Sequence, residues 1–272
     1  VEPTLSGGVA RALRVPDATV DPFRLCVATA ADAEDNGATV RTNTEVTDLL
    51  VERGRVVGAA LDGERIDVDH VVNAAGAWAD RVAGLAGGSV PIRPTKGAMA
   101  VVDHPHTVVV NRCRPRSRGD IAVPVGGATI LGTTDADVED PDEFPRDERE
   151  IALLREELAA LLPGVGDAPL VRSYWGVRPL FDARESSAEE TDATREFGLL
   201  DHREQDVEGL TSVVGGKLTT HRRMAEAVAD HVCARLGVSA RCRTAETTLP
   251  EVGNEEYERF GLGPGVSLAR GP

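Results

Sequence analysis

Residues 213–222 read VVGGKLTTHR: two β-branched residues run into a glycine pair, a lysine and two threonines. The pattern predicts a strand that ends at Gly215–Gly216 and a helix that opens near Leu218–Thr219. A strand, a bare turn and a helix together place α/β structure at the carboxy-terminal end of the chain. Two glycines there remove side chains from the junction. The helix terminus behind them offers unpaired N–H groups and a partial positive charge, so the turn suits an anion. Lys217 adds a full charge. Lys217 and Lys96 (in RPTKGA) are the only two lysines among 30 Lys plus Arg, so lysine persists here where arginine has taken nearly every other basic position.

Outward from this junction, the last helix is predicted over 218–236, with Met224, Val228, Val232 and Leu236 inward. Strands are predicted near 170–180, 196–202 and 210–214. Residues 90–144 read as β-structure throughout, with a hairpin turn at Gly126–Gly127. Asp147 with Glu150 three places on forms a capping pair. It opens a helix whose face is Ile151, Leu154, Leu158 and Leu161 and which ends at Pro163. Near the other end, Asp21–Pro22 starts a helix with Phe23, Cys26, Val27 and Ala30 inward, and Gly37 stops it. Strands are predicted over 38–42, 46–52 and 55–61; HVVNAAG (70–76) is a buried strand running into glycine, and a small-residue helix follows over 77–86. After 245 the chain is polar and glycine-rich, a linker or frayed tail. The order is α/β at each end with an antiparallel β-rich block between, the pattern of a nucleotide domain interrupted by a substrate domain. No GxGxxG occurs, and the opening VEPTLSGG has neither Met nor a strand. The phosphate loop for any bound dinucleotide is therefore expected in an upstream part that this sequence lacks.

With 272 residues the chain is long enough for a full core. Its 45 acidic residues and net charge of −15 are scattered rather than gathered in a tail, which argues against a nucleic-acid face. Scattered acid, two lysines and many small residues resemble proteins of salt-loving organisms. The four cysteines form no CxxC, no His cluster has zinc spacing, and no apolar run approaches the roughly 18 residues of a spanning helix. A cytoplasmic location is expected, free or peripheral on the cytoplasmic face of a membrane.

Each motif has an alternative. NAAG (73–76) is an ordinary βα junction, or a place where a nucleotide approaches backbone. The GGK turn suits a simple anion, or a flavin ring, whose N1–C2=O region gains negative charge on reduction. Arg178, in YWGVRPL, sits in an apolar strand without an acidic neighbour in sequence, so it needs a bound anion or a salt bridge from elsewhere in the fold. Arg195, in ATREFGLL, reads alone as a strand-edge charge. GTTDAD (132–137) has too few carboxylates for calcium and reads as a turn capped by Thr and Asp. NRCRPRSR (111–118) makes salt bridges to the acidic surface or meets an acidic partner. His221 reads as an exposed helix residue before a catalytic base.

In this order, VPDATVDPFRL, NAAGAW, PTKG, NRCR, LGTTD, GVRPL, LLDH and GGKLTT resemble FAD-dependent glycerol-3-phosphate dehydrogenase. VPDATVDPFRL and NRCR are most similar to the large catalytic subunit of the anaerobic type. The resemblance implies a FAD-binding Rossmann-like domain of the D-amino-acid-oxidase/glutathione-reductase type, interrupted by an antiparallel β-sheet substrate domain. The implied division is 1–88 and 205–240 for FAD, 89–204 for substrate, and 241–272 as linker or tail. It implies hydride transfer from C2 of sn-glycerol 3-phosphate to flavin N5. Electrons would pass to a quinone, received first by iron–sulfur or membrane-anchor subunits. FAD would be met by Val46, Ala74, Ala75, Gly76, Gly215, Gly216, Lys217, Leu218 and Thr219. The substrate would be held by Arg178, Arg195 and Lys217, with Thr133 and Thr134 near the glycerol hydroxyls. Two departures stand out: some relatives have His where this chain has Met99, and many have Tyr where it has His221. The rival readings are a flavin oxidoreductase of the same fold acting on an amino or hydroxy acid, and a non-catalytic interaction module.

Overall fold

Asp21 starts the first helix, accepting from the N–H groups of Phe23 and Arg24 at 3.0 and 3.3 Å. In this computed structural model, which describes residues 2–113, 120–182 and 197–263, that helix is α1 (Pro22–Asp35). Its buried residues are Val27, Ala28 and Ala31, while Cys26 is exposed. The predicted stripe is thus rotated by about one residue, because the alanines serve as core contacts as well as a cysteine does.

Strands β1 (Val46–Glu52), β2 (Arg55–Leu61) and β3 (Glu64–Asp67) form an antiparallel meander. The strand expected over 38–42 does not form. A strand needs a ladder partner for its backbone groups, and the Asp62–Gly63 turn supplies β3 to β2 instead. Asn43, at φ +53, breaks the extended run. β4 (Val71–Asn73) leads through a 3-10 turn at Gly76–Trp78 into α2 (Ala79–Gly84).

The middle of the chain builds one six-stranded sheet from β5 (Ile92–Val102), β6 (Val110–Asn111), β7 (Ile121–Val125), β8 (Ala128–Gly132), β9 (Ala136–Asp137) and β10 (Leu170–Phe181). Its order is β10-β5-β8-β7-β6, with β9 also on β5, and every pairing is antiparallel. α3 (Glu148–Ala159) and the single turn α4 (Gly164–Asp167) cover one face. There Ala98, Ala100, Val102, Ala122 and Leu131 meet Ile151, Leu154, Leu158 and Leu162. Alanines on β5 let the helix lie close, and the leucines fill what remains. Asp147 caps α3 by accepting from the Arg149 N–H at 2.9 Å. Glu150 does not complete the expected capping pair: its side chain turns into the sheet, where stronger donors await it.

β11 (Phe197–Asp201) and β12 (Leu210–Gly215) form a third sheet with β4, in the order β11-β12-β4. β12 runs parallel to β4, with Ser212 opposite Asn73. The last long helix is α5 (His221–Leu236), preceded by a 3-10 turn at Leu218–Thr220. Of its predicted inward residues only Val228 is fully buried, and Leu236 is 45% exposed. α5 faces a groove rather than a filled core, so its apolar stripe stays half-open. The tail contains a short helix, α6 (Asn254–Arg259), that docks on α1 through an Arg259–Glu34 ion pair. Among the described residues no helix is long and apolar enough to cross a membrane.

Candidate active site

Arg178 lies on β10 opposite Thr95 of β5. Its guanidinium reaches across the sheet and is held by three neutral oxygens. Nη2 donates to Thr133 Oγ1 at 2.7 Å and to the Thr134 carbonyl at 3.2 Å, and Nη1 donates to the Lys96 carbonyl at 3.3 Å. Asp135 stands 3.6 Å from Nη1. The acidic partner that the sequence around Arg178 lacks thus comes from the GTTDAD turn. Glycine at 97 makes this placement possible: a Cβ there would lie 2.1 Å from Arg178 Nη2 and 2.6 Å from Thr133 Oγ1. The side chain remains 37% exposed. A guanidinium carries five N–H groups, so donors remain for a ligand beside those fixed by protein.

Under this cluster runs a buried polar chain. Lys96 is only 7% exposed at its side chain; its ammonium donates to Glu150 Oε2 at 2.7 Å and to the Pro145 carbonyl at 2.6 Å. Glu150 also accepts from Thr134 Oγ1 and Trp175 Nε1. Burial works to raise the Glu150 pKa. The Lys96 ammonium, the Thr134 hydroxyl and the indole outweigh it and hold the carboxyl below its ordinary value. Neither Glu150 nor Gly97 stands out from sequence as a site residue. Glu150 stands three residues after Asp147, the spacing of a capping box, which hid its other role.

The second centre is an apolar groove of about 660 Å³ between α5 and the β12–β4 edge, lined in part by Val72, Ala74, Val213, Gly215, Lys217 and Met224. Gly215 and Gly216 both have positive φ, +79° and +74°. The turn therefore requires glycine twice in succession. A Cβ at Gly216 would also meet Met224 Sδ at 2.5 Å. The Lys217 N–H donates to Thr220 Oγ1 at 3.1 Å, so that donor is already used. Lys217 itself is exposed, and among the described residues its ammonium makes no ion pair. Leu218 and Thr219 are exposed beside it. His221, the first residue of α5, donates from Nδ1 to the Leu218 carbonyl at 2.7 Å, which leaves Nε2 as its free ring nitrogen.

NAAG is held from below. Asn73 donates to the Ala79 carbonyl at 2.7 Å and to Ser212 Oγ at 3.0 Å, and accepts from the Ala75 N–H at 3.2 Å. Ser212 in turn donates to Nε2 of buried His202 at 2.7 Å. Asn73 thus fixes the turn and leaves Ala74, Ala75 and Gly76 at its surface. Val46 is exposed at the start of β1. The predicted substrate residues divide between the centres: Arg178, Thr133 and Thr134 come together, while Lys217 lies on the groove. Arg195 falls outside the described residues. In the NRCRPRSR run, Arg112 pairs with Asp120 at 3.0 Å, and 114–118 lie outside the described residues. Met99 lies against Gly132, where a Cβ would be 2.5 Å from its sulfur, so it fills space in the sheet. Among the described residues no group of three or more His, Cys, Asp or Glu is placed to hold a metal, and the four cysteines are free.

Residues 1–231 match the family described as DAO, FAD dependent oxidoreductase. The chain belongs to that family. Within it, the chain is 48% identical to a subunit of the anaerobic glycerol-3-phosphate dehydrogenase of Haloferax volcanii, over 94% of this chain and 47% of that protein. It is 37% identical to the like-named subunit of the Escherichia coli K12 enzyme, over 98% of this chain and 51% of that one. The chain spans about half the length of these curated relatives. Among solved structures, the glycerol-3-phosphate dehydrogenase from Bacillus halodurans complexed with FAD superposes with a TM-score of 0.68. The two are 26% identical, over 87% of this chain and 48% of that one. The chain therefore has the mixed α/β fold of FAD dependent oxidoreductases, and FAD is the cofactor of its family. The haloarchaeal relative accords with the acidic, lysine-poor surface.

Proposed function

We propose that this chain carries the substrate-binding and carboxy-terminal parts of a FAD-dependent sn-glycerol-3-phosphate dehydrogenase. The observation that carries the reading is Arg178. Its guanidinium is fixed over bare glycine backbone by three neutral oxygens, faces Asp135 at 3.6 Å from Nη1, and stays partly open, so N–H donors remain for an anionic ligand. The groove fits a flavin: it is apolar, and the paired glycines of its rim leave backbone bare where a planar ring would lie. Val46, Ala74, Ala75, Gly76, Gly215, Gly216, Lys217, Leu218 and Thr219 would hold FAD. Bound FAD supplies the hydride acceptor for oxidation of C2 to the ketone of dihydroxyacetone phosphate.

The chain's own residues bind and orient. Arg178 and Lys217 grip the phosphate, a planar fork and a point charge on one dianion. Thr133 and Thr134 stand beside the glycerol hydroxyls, and Arg195 is assigned to the phosphate on the resemblance alone. His221 Nε2, or a water, takes the C2 hydroxyl proton. In the proposed division residues 1–88 and 205–240 serve FAD, 89–204 serve substrate and 241–272 form the tail. Because the relatives are named as subunits of an anaerobic enzyme, we assign the chain to an assembly of several different chains. In it iron–sulfur or membrane-anchor subunits pass electrons to quinone at the cytoplasmic face of the membrane.

The test is anaerobic mixing of the intact, FAD-loaded protein with glycerol 3-phosphate, glycerol, an amino acid and a 2-hydroxy acid. Rapid flavin bleaching by glycerol 3-phosphate alone is expected. Bleaching by the amino or hydroxy acid instead would overturn the assignment.

A further inference from the structure

Glu150 is a half-buried carboxylate to which the proposed chemistry gives no part. It stands in the first turn of α3, its side chain 15% exposed. Its two oxygens divide their work. Oε1 accepts from the Thr134 hydroxyl at 2.7 Å, and Oε2 accepts from the Lys96 ammonium at 2.7 Å and the Trp175 indole at 3.0 Å. Thr134 and Lys96 are also the two residues whose backbone carbonyls accept from Arg178. The Thr134 hydroxyl accepts in turn from the Ala98 N–H at 2.8 Å, so its direction is set from both sides. One carboxylate therefore ties down both carbonyls that aim one guanidinium.

We propose that Glu150 is a positioning residue for Arg178: through Thr134 and Lys96 it fixes the carbonyls that orient the guanidinium, and so sets affinity for the phosphoryl end of the substrate without touching it. The inference rests on the reading of Arg178 as the phosphate-binding arginine. A buried ion pair adds little net stability over apolar side chains of the same volume. What it adds here is direction, because each of its three donors belongs to a strand or turn around Arg178.

In the intact, FAD-loaded protein, Glu150→Gln keeps the shape but removes the charge and turns an NH₂ toward a donor. KM for glycerol 3-phosphate is expected to rise about tenfold, with kcat and the slow reaction with glycerol nearly unchanged. The decisive comparison is made in the Arg178→Ala background, where Glu150→Gln should add no further rise in KM. Trp175→Phe removes one donor from Glu150 and is the gentler variant if Glu150→Gln does not fold. It should shift KM in the same direction by roughly two- to threefold, and this too should vanish without Arg178. If Arg178→Ala raises KM and the second change multiplies that loss, Glu150 acts independently and this inference alone is overturned. If Arg178→Ala leaves KM for glycerol 3-phosphate unchanged, the phosphate reading falls and takes the inference with it.

Discussion

The two lysines occupy opposite environments. Lys96 is buried and saturated, its compact ammonium shared between a carboxylate and a carbonyl. Lys217 is exposed at the rim of the groove. Arg178 donates to the Lys96 carbonyl, and the residue that decides its position has no side chain. Gly97→Ala would put a methyl group 2.1 Å from Nη2. The guanidinium end is flexible by nature but pinned here, so it must leave its carbonyls. KM for glycerol 3-phosphate should rise about tenfold or more, roughly 1.4 kcal/mol per tenfold, and a steady-state assay on the flavin-loaded protein checks this. Arg178 stands out in sequence because it lies in an apolar strand, and Thr133 and Thr134 because both lie in the LGTTD motif of the resemblance. Glu150 and Gly97 were not. Their partners lie 54 and 81 residues away, at Lys96 and Arg178, across strands whose register no local spacing reveals.

At the scale of elements, α3 was readable because its leucines recur at helical spacing and a sheet of small residues receives them. The 38–42 segment was misread because strand propensity cannot supply a ladder partner. α5 was misread in part because its stripe lines a groove. A third feature, the segment ahead of α1, had no sequence signal at all. It is pinned by Glu2, buried at 3% exposure, which accepts from the Thr107 N–H and hydroxyl at 2.8 and 2.6 Å and from the Thr4 hydroxyl at 2.8 Å. The Thr107 hydroxyl chiefly, against burial and with help from the Thr107 N–H and Thr4, lowers the Glu2 pKa from 4.5 to about 2. A depressed carboxylate pKa gives stability that is present above the unfolded value of 4.5 and is lost as pH falls through about 2. Glu2→Gln should therefore melt below wild type at neutral pH, and the two midpoints should converge as pH falls from 4.5 toward about 2. Thermal melts across that range would show parallel curves if Glu2 were not the pin.

For the whole molecule, the division into a β-rich middle and α/β ends was legible from the order of periodicities. The parallel pairing of β12 with β4 joins segments about 140 residues apart in sequence and was not. Surface charge acts at this scale as well. With −15 spread over the chain, self-repulsion opposes the compact state, and salt relieves it over a Debye length of about 3 Å at 1 M against about 10 Å at 0.1 M. The thermal midpoint should be several degrees higher in about 3 M KCl than in about 0.1 M; equal midpoints would remove the halophilic reading.

The claim that binds these scales is that Arg178, in the sheet cluster, and Lys217, on the groove, together select a phosphorylated substrate. Lys217→Ala in the intact, flavin-loaded protein tests it most directly, assayed on glycerol 3-phosphate and on glycerol. The expected loss is on the order of 2–4 kcal/mol in kcat/KM for glycerol 3-phosphate, the scale for truncating one partner of a desolvated charge pair. The slow reaction with glycerol, which has no phosphate to lose, should be largely spared, and Lys217→Arg should recover only part. Equal losses on both substrates, together with loss of bound flavin, would contradict the claim and leave Lys217 to the cofactor alone.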